Sequence, residues 1–317
     1  MDSQSPLYGQ LKELTTEQRN PASMDIDAQS IPSILKLIND EDKRVAFAVE
    51  REIPYIAEAV TLVTKALQSG GRLIYVGAGT SGRLGVLDAV ECPPTFGVNS
   101  DMVQGIIAGG DAAMFHAQEG AEDKEETGAR DIDHVEAGKN DVVCGIAASL
   151  QTPYVVGAVK RARQLGAKTL YLTTNPRGTL HSPGFSELAR SIDVAICPEV
   201  GPEVIMGSTR MKSGTAQKLV LNMITTATMI GLGKVYENMM IDLQLTNAKL
   251  RERAKRILIA ITGINYEQAS IALDNADGHV KTAIVMVKAN LSKAEAQNRL
   301  RKADGFVRAA VEEKKPK

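Results

Sequence analysis

The chain has 317 residues, of which 44% are hydrophobic and 24% charged, and its formal net charge is −1. This composition is typical of a globular protein and gives no sign of a nucleic-acid or membrane surface. Three widely separated cysteines, Cys92, Cys144 and Cys197, argue against a disulfide framework or a zinc site and indicate free thiols in the cytoplasm.

The first 30 residues are polar and show no basic region followed by an apolar one. We therefore expect no signal peptide, and a segment that is extended or ordered only against another surface. Ser33 is placed to cap a short helix, and Asp40 to cap a second helix that Pro54 ends. Pro54 then suits the first turn of a third helix, which Gly70 and Gly71 stop. The third helix has one apolar stripe, formed by Ile56, Val60, Val63 and Leu67.

From residue 72 onward, short apolar runs alternate with helical segments. The runs are residues 73–76, 103–108, 142–147, 169–173 and 194–197. Each run is short and apolar rather than alternating, which is typical of strands buried on both faces. The pattern predicts an α/β fold with a five-stranded parallel sheet and helices on both faces.

A glycine-rich turn follows the first run. Gly77, Gly79 and Gly82 permit a tight turn, with Thr80 and Ser81 between them. Free N–H groups and the helix dipole at such a turn attract anions, and the two hydroxyls favour a compact phosphate monoester. The spacing also fits a dinucleotide fingerprint or a tight turn without a ligand, and these alternatives stay open at this point.

The helix after this turn is predicted over residues 83–90. Pro93 and Pro94 should stop it near Cys92, which leaves Glu91 at a helix end. A helix from Gly82 to Val90 would be about 13 Å long. Glu91 would then stand far from the phosphate end of its own helix, unless the helix bends or ends early. A partner chain in a homodimer could supply the missing reach.

Polar residues also follow the second and third runs. Residues 109–111 follow the second run, and Ser149 and Thr152 follow the third. Because parallel strands end at one edge of the sheet, we expect Ser149 and Thr152 to join Thr80 and Ser81 in a phosphate site.

The carboxyl groups near this edge suggest acid–base chemistry. Glu91, Glu119, Glu122 and Asp123 flank the predicted site, and a carboxyl pair can act as acid and base if their pKa values differ. The alternative for each of these groups is simple solvation. His116 could orient substrate or be a half-buried helix residue.

Residues 201–218 lead into a long helix. Ser208 and Thr209 are possible helix caps, while Arg210 and Lys212 could neutralise an anion or be solvated charges. The uncharged run over residues 219–233 is too short to span a bilayer and indicates a buried helix. From about residue 247 the pattern predicts several small helices, one of them capped by Ser292 with Glu295 at its third position.

Four segments resemble the N-acetylmuramic acid 6-phosphate etherase family. They are residues 76–85 (VGAGTSGRLG), 91–95 (ECPPT), 119–123 (EGAED) and 207–212 (GSTRMK). Residues 16–21, 38–43 and 281–287 resemble it as well, so that the similarity extends over nearly the whole chain.

The resemblance implies a sugar isomerase (SIS) domain over residues 55–235, preceded by helices over 1–54 and followed by a small ubiquitin-associated-like helical domain over 236–317. It implies a homodimeric carbon–oxygen lyase that needs no cofactor and no metal. Such an enzyme cleaves the lactyl ether of N-acetylmuramic acid 6-phosphate to N-acetylglucosamine 6-phosphate and D-lactate during cell-wall recycling. The catalytic glutamates would be Glu91 and Glu122.

The family pattern also implies a set of substrate-binding residues. These are Gly79, Thr80, Ser81, Ser149, Thr152, Ser208 and Lys212. The chain departs from the family at Val90, where Ser is common, and at Leu150-Gln151, where Gly and a polar or basic residue are usual. We therefore expect Leu150 to bring a bulky side chain to a turn that approaches the phosphate.

These residues are also compatible with two other classes of function. A non-catalytic sugar-phosphate sensor of the glucokinase regulatory protein type would share the fold but would not need both Glu91 and Glu122. A nicotinamide enzyme would use the glycine-rich turn for its cofactor.

Overall fold

A computed structural model describes residues 14–243, 245 and 247–313. The chain forms two compact units. One comprises residues 14–90 and 101–225, and the other comprises residues 91–100 with the described residues from 226 onward. The first 13 residues, part of the segment expected to be extended, lie outside the described residues. The division at residues 54 and 235 stays a prediction.

The first unit is built on a five-stranded sheet. Its strands are β1 (Leu73–Gly77), β2 (Val103–Ile107), β3 (Val142–Ile146), β4 (Lys168–Leu172) and β5 (Val194–Ile196). All neighbouring strands are parallel, in the order β2-β1-β3-β4-β5. The five apolar runs therefore mark the five strands to within one residue at each end, and the predicted sheet is confirmed.

The strand order places a switch point beside β1. Leu73 pairs with Val103 of β2 on one side and with Val142 of β3 on the other. The chain thus leaves β1 in one direction along the sheet and later returns to its other side. Ligands of open parallel sheets bind in the crevice at the strand carboxyl ends near such a point, here close to Gly77.

Helices accompany the sheet along the chain of the first unit. They are α1 (Ile31–Glu50), α2 (Ile53–Gln68), α3 (Gly79–Phe96), α4 (Ala112–Phe115), α5 (Glu125–His134), α6 (Pro153–Gln164), α7 (Ser186–Arg190) and α8 (Lys212–Gly231). Helices α3 and α8 each continue beyond this unit into the other.

Two close approaches show that helices cover both faces of the sheet. A Cβ on Gly85 of α3 would lie 2.9 Å from the Cβ of Tyr75, whereas a Cβ on Gly145 of β3 would lie 2.6 Å from Val159 of α6. Tyr75 pairs with Cys144 in the sheet, so these two residues face the same side. Gly145 is the next residue and faces the opposite side, because successive strand residues alternate.

The N-terminal helix predictions are partly wrong. The two short helices expected after Ser33 and Asp40 are one helix, α1, whose first turn is capped by the Ser30 side chain. Asp40 is inside this helix and pairs with Lys36 and Lys43, one turn away on either side. A carboxylate with such partners stabilises a helix interior and does not need to begin a new one. The prediction that Pro54 lies in the first turn of the next helix is confirmed by α2.

Helix α3 is longer than predicted, because it passes through Pro93 and Pro94 and ends at Phe96. Each proline removes one backbone hydrogen bond to a carbonyl four residues earlier, but its fixed φ is itself helical. Cys92 and Phe96, one turn apart, are both buried, so packing supports the last turn. The expectation that Glu91 stands at a helix end is therefore wrong.

The second unit is helical apart from a short hairpin, β6 (Val235–Tyr236) with β7 (Met239–Met240). Its later helices are α9 (Ala248–Thr262), α10 (Tyr266–Asn275), α11 (Val280–Ala289), α12 (Lys293–Lys302) and α13 (Val307–Glu312). They enclose a separate hydrophobic core. The Ser292 and Glu295 side chains form the predicted capping box of α12. None of the helices in the described ranges has both the length and the apolar character needed to cross a bilayer.

Candidate active site

The turn between β1 and α3 is packed too tightly for side chains at two of its glycines. A Cβ on Gly77 would lie 2.6 Å from the Gly82 backbone nitrogen, and a Cβ on Gly82 would lie 2.6 Å from Ile107 of β2. Gly79 has a φ of +52°, in the left-handed region that favours glycine. The three glycines thus let α3 begin directly beside the end of β1.

The two hydroxyl residues of this turn lie in the first turn of α3. Ser81 is buried, and its Oγ donates to Oε1 of Gln217 in α8 at 3.0 Å. Thr80 is half-buried, and its methyl group lies 3.3 Å from where a Cβ on Gly214 would stand. The predicted phosphate turn thus packs against the start of α8. The local sequence pattern did not indicate this contact.

A buried carboxylate caps the start of α8. Glu203 is fully buried, and its two carboxylate oxygens accept hydrogen bonds from the backbone N–H groups of Lys212 and Ser213 at 3.0 and 2.9 Å. A carboxylate is favoured there by the free N–H groups and the helix dipole. Ser208 is half-buried in the preceding turn, where its backbone nitrogen donates to the Ile205 carbonyl.

Lys212 is buried in an ion pair. Its Nζ lies 2.6 Å from Oε2 of Glu41 in α1, and the same oxygen accepts a hydrogen bond from Asn20. In the structure the charge of Lys212 is thus paired within the protein, and its contact with substrate stays a prediction.

The loop after β3 carries the other two predicted phosphate ligands. Ser149 and Thr152 are both half-buried, and Thr152 directly precedes the first residue of α6. Both residues follow β3, the strand next to β1 at the switch point. Their placement fits the expected set at the strand ends.

Leu150 does not project into this turn. Its side chain is fully buried in the hydrophobic core of the first unit, while its φ is +68° and its carbonyl accepts a hydrogen bond from the Tyr171 hydroxyl. The expectation of a bulky group at the phosphate turn is therefore wrong, because the left-handed backbone goes together with a side chain packed into the core.

A cavity of about 260 Å³ lies between the glycine-rich turn and the segment after α4. Gly79 and Glu122 both line it, together with Arg83 and Glu119. The fold thus brings two predicted site residues to one cavity although they are more than 40 positions apart in the chain. Arg83 adds a cationic side chain that the sequence analysis did not select, although it directly follows the Thr-Ser-Gly segment.

The environment of Glu122 makes its carboxyl group a weaker acid. Desolvation, followed by the nearby carboxylates of Asp123 and Glu119, raises the pKa of Glu122 above its ordinary value, although its side chain is exposed. A raised pKa suits a carboxylate that accepts a proton, because its basicity is greater.

The other candidate groups differ in their surroundings. Glu91 is exposed in α3 and belongs to the second compact unit. His116 is exposed directly after α4. Cys92 is buried. In the described part of the chain, His, Cys, Asp and Glu side chains form no group of three that could hold a metal ion.

Comparison with known proteins gives a family match over part of the chain and relatives over nearly all of it. Residues 55–163 match the model of the glucokinase regulatory protein N-terminal SIS domain. An N-acetylmuramic acid 6-phosphate etherase of Salinibacter ruber is 58% identical over 98% of this chain and 98% of its own. One of Clostridium beijerinckii is 53% identical over 96% of this chain and 97% of its own.

A solved structure resembles the chain more remotely. The phosphoheptose isomerase of Neisseria gonorrhoeae is 15% identical, with a TM-score of 0.45, and the match covers 62% of this chain and 98% of that chain.

Proposed function

Because the chain belongs to the N-acetylmuramic acid 6-phosphate etherase family, we propose that it cleaves the D-lactyl ether of N-acetylmuramic acid 6-phosphate. The products are N-acetylglucosamine 6-phosphate and D-lactate, which places the enzyme in cell-wall sugar recycling. The observation that carries this proposal is the 58% identity over 98% of both chains to an etherase of Salinibacter ruber. We propose further that the reaction takes place in the cytoplasm and that the enzyme is a homodimer.

The proposed reaction is an elimination followed by addition of water. The ether oxygen is attached to C3, where no ring oxygen can stabilise a cation. In the open-chain sugar, C2 lies beside the C1 aldehyde, so a positioned base can remove the C2 proton. The C3–O bond then breaks, the electron pair of the C2–H bond forms a C2–C3 double bond, and the lactyl oxygen leaves with a proton. Water adds at C3 of the unsaturated aldehyde, and C2 regains a proton.

We assign the two proton transfers to Glu122 and Glu91. Glu122 is proposed as the base at C2, and its raised pKa and its place in the cavity beside Gly79 support this role. Glu91 is proposed as the acid at the ether oxygen, and this role rests on the resemblance of residues 91–95 to the family. Each general acid or base step of this kind accelerates a reaction by about 10²–10⁴-fold.

The phosphate group is proposed to bind at the strand ends. Thr80, Ser81, Ser149 and Thr152 would donate hydrogen bonds to its oxygens, helped by backbone N–H groups at the start of α3. The tight packing of Gly77 against Gly82 supports this assignment, because it keeps side chains out of the turn. Ser208 and Lys212 are kept as predicted contacts to the sugar.

Isotope labelling tests the reaction and its route together. The enzyme is incubated with N-acetylmuramic acid 6-phosphate in ¹⁸O water or in deuterated water, and both products are analysed by mass spectrometry. We expect ¹⁸O at C3 of N-acetylglucosamine 6-phosphate and none in lactate, with deuterium at C2. Label in the lactate, or a product without deuterium at C2, would contradict the elimination route. Failure to release lactate at all would contradict the activity.

The second candidate is a sugar-phosphate-binding regulator, which the match of residues 55–163 to the glucokinase regulatory protein domain keeps open. A regulator would bind the sugar phosphate without converting it. The same incubation separates the two functions, because only the etherase releases lactate.

A further inference from the structure

Gln217 in α8 has a buried side-chain amide in which only the oxygen has a hydrogen-bond partner within the described part of the chain. Its side chain is 1% exposed, and Oε1 accepts the hydrogen bond from Ser81. The Nε2 group is buried and has no hydrogen-bond partner among the described residues. Buried donors without a partner are rare in proteins, and each one calls for an explanation.

Helix packing fixes this amide against the predicted phosphate turn. Gly214 and Gln217 are three positions apart in α8 and so lie on one face of the helix. Gly214 lies against Thr80, and Gln217 contacts Ser81, the next residue in α3. A side chain at position 214 would approach the Thr80 methyl group to 3.3 Å. The close approach of the two helices therefore holds the amide at Ser81.

The direction of the Ser81 hydrogen bond conflicts with phosphate binding. In the structure the Ser81 hydroxyl proton points to Gln217. A fully ionised phosphate group has only acceptor oxygens, so the hydroxyl must give its proton to the phosphate in order to bind it. One hydroxyl has one proton and cannot satisfy both acceptors.

We propose that Gln217 is a positioning residue that sets the direction of the Ser81 hydroxyl by a half-turn of its amide. The half-turn about the terminal torsion exchanges Oε1 and Nε2. Nε2 then donates to Ser81 Oγ, and the Ser81 hydroxyl proton is free for a phosphate oxygen. Without ligand, Ser81 donates to Oε1 as the structure has it.

The exchange adds no unpartnered atom to the buried amide. Before it, an N–H donor has no partner, and after it, Oε1 takes that position as an acceptor without one. Buried carbonyl oxygens lacking a partner are less rare than buried N–H groups lacking one. The inference rests on the proposed function in one respect, namely that the ligand is a phosphorylated sugar bound at Ser81.

The test measures binding of the product N-acetylglucosamine 6-phosphate by calorimetry, with unphosphorylated N-acetylglucosamine as reference. Gln217→Glu keeps the shape of the side chain, and its ionised carboxylate offers only acceptor oxygens, so Ser81 stays turned away from the phosphate. We expect the phosphorylated sugar to bind about tenfold more weakly or worse, which is the loss expected for one hydrogen bond to a charged group. Binding of the unphosphorylated sugar should not change.

Gln217→Met removes both hydrogen-bonding atoms at similar volume and leaves the Ser81 hydroxyl free to turn. Its loss of affinity should be smaller than that of Gln217→Glu, at roughly two- to fivefold. Combined with Ser81→Ala, it should weaken binding no further than Ser81→Ala alone, because Gln217 acts only through Ser81. Thr215→Ala, an exposed position of the same helix, is the matched control and should bind like the wild type.

Thermal melting identifies variants that fail to fold. If Gln217→Met fails to fold, the affinity of Gln217→Glu for the phosphorylated sugar tests the proposal. Wild-type affinity in Gln217→Glu would overturn the proposal, as would losses that multiply in the double variant. Binding of the product needs no turnover. Absence of lactate release would therefore contradict the proposed reaction but not the proposed role of Gln217. An unchanged preference for the phosphorylated sugar in Ser81→Ala would overturn the role of Gln217, while lactate release would still stand.

Discussion

Lys212 and Glu41 form an ion pair with an N–O distance of 2.6 Å, and their side chains are 2% and 5% exposed. The pair joins α8 to α1, two helices more than 150 residues apart in the chain. Burial opposes the charge on Glu41, but the hydrogen bonds from Lys212 and Asn20 hold the pKa of Glu41 below its ordinary value. An ionised carboxylate of α1 thus neutralises the buried ammonium at the start of α8.

We predict that Glu41→Gln strongly destabilises the protein, because it leaves the buried ammonium of Lys212 without its counter-charge. Loss of one partner of a buried pair costs about 3–5 kcal/mol of the free energy of unfolding. Chemical denaturation at pH 7 measures this loss. Asp40→Asn, which breaks only exposed pairs in the same helix, is the control and should change the midpoint little.

The pH dependence of the same pair has a defined sign. The folded-state pKa of Glu41 is below its unfolded value, so the pair contributes stability above the unfolded pKa and loses it as the pH falls through the folded pKa. The difference in stability between the wild type and Glu41→Gln should therefore shrink in acid. A difference that stays constant from neutral to strongly acidic pH would contradict this account.

A second prediction concerns the acid limb of the pH–rate profile. The proposed base Glu122 must be ionised to act, and its pKa is raised, so kcat/KM should increase with pH through a limb above the ordinary pKa of glutamate. Asp123→Asn and Glu119→Gln each remove a nearby negative charge and should lower the pKa of Glu122. Both variants should move the limb to lower pH. An unmoved limb, or one at higher pH, would show that another group controls it.

The proposed phosphate contacts are tested by removing single hydroxyls. Ser81→Ala and Ser149→Ala should each weaken binding of the phosphorylated sugar by roughly tenfold, the loss expected for one hydrogen bond to a charged group. Binding of the unphosphorylated sugar should not change. Ser186→Ala, an exposed position at the start of α7, is the control. The phosphate assignment would fail for any residue whose variant retains the wild-type preference.

The role of Glu91 is separated from binding by an isosteric change. Glu91→Gln should keep the fold and the affinity for product but lower kcat by about 10²–10⁴-fold, because an amide does not supply the proton for the leaving oxygen. Glu126→Gln, an exposed carboxyl position in α5, is the control and should be fully active. Wild-type turnover in Glu91→Gln would remove this residue from the mechanism.

A shared site in a homodimer is a further prediction. Ten residues of α3, nearly three turns, separate Ser81 from Glu91, so one subunit could bind the phosphate while its partner supplies the acid. Glu91→Gln and Ser81→Ala chains are mixed, and the mixed dimers are assayed at low substrate concentration. With sharing, one of the two sites in a mixed dimer is intact, and kcat/KM should be about half that of the wild type. Activity no higher than that of the Ser81→Ala dimer would mean that the two groups are not shared.

The sequence by itself determined the features that depend on local patterns. The five strands follow from short apolar runs, because strands buried on both faces are rich in apolar residues rather than alternating. The turn at Gly77, Gly79 and Gly82 follows from the spacing of its glycines, because Gly77 and Gly82 have no room for a Cβ and Gly79 has a left-handed φ. The capping box of Ser292 and Glu295 lies within four residues, so its hydrogen bonds are readable without the fold.

The tertiary structure decided the features that depend on distant partners. Glu203 caps α8 from nine residues away, Lys212 is neutralised by Glu41 of α1, and Gln217 meets Ser81 across 136 positions. Leu150 packs into the core although its place after β3 indicated the phosphate turn. A side chain's type limits what it can bond to, but only the folded chain determines which partner lies within reach, since these contacts join segments that no local pattern connects.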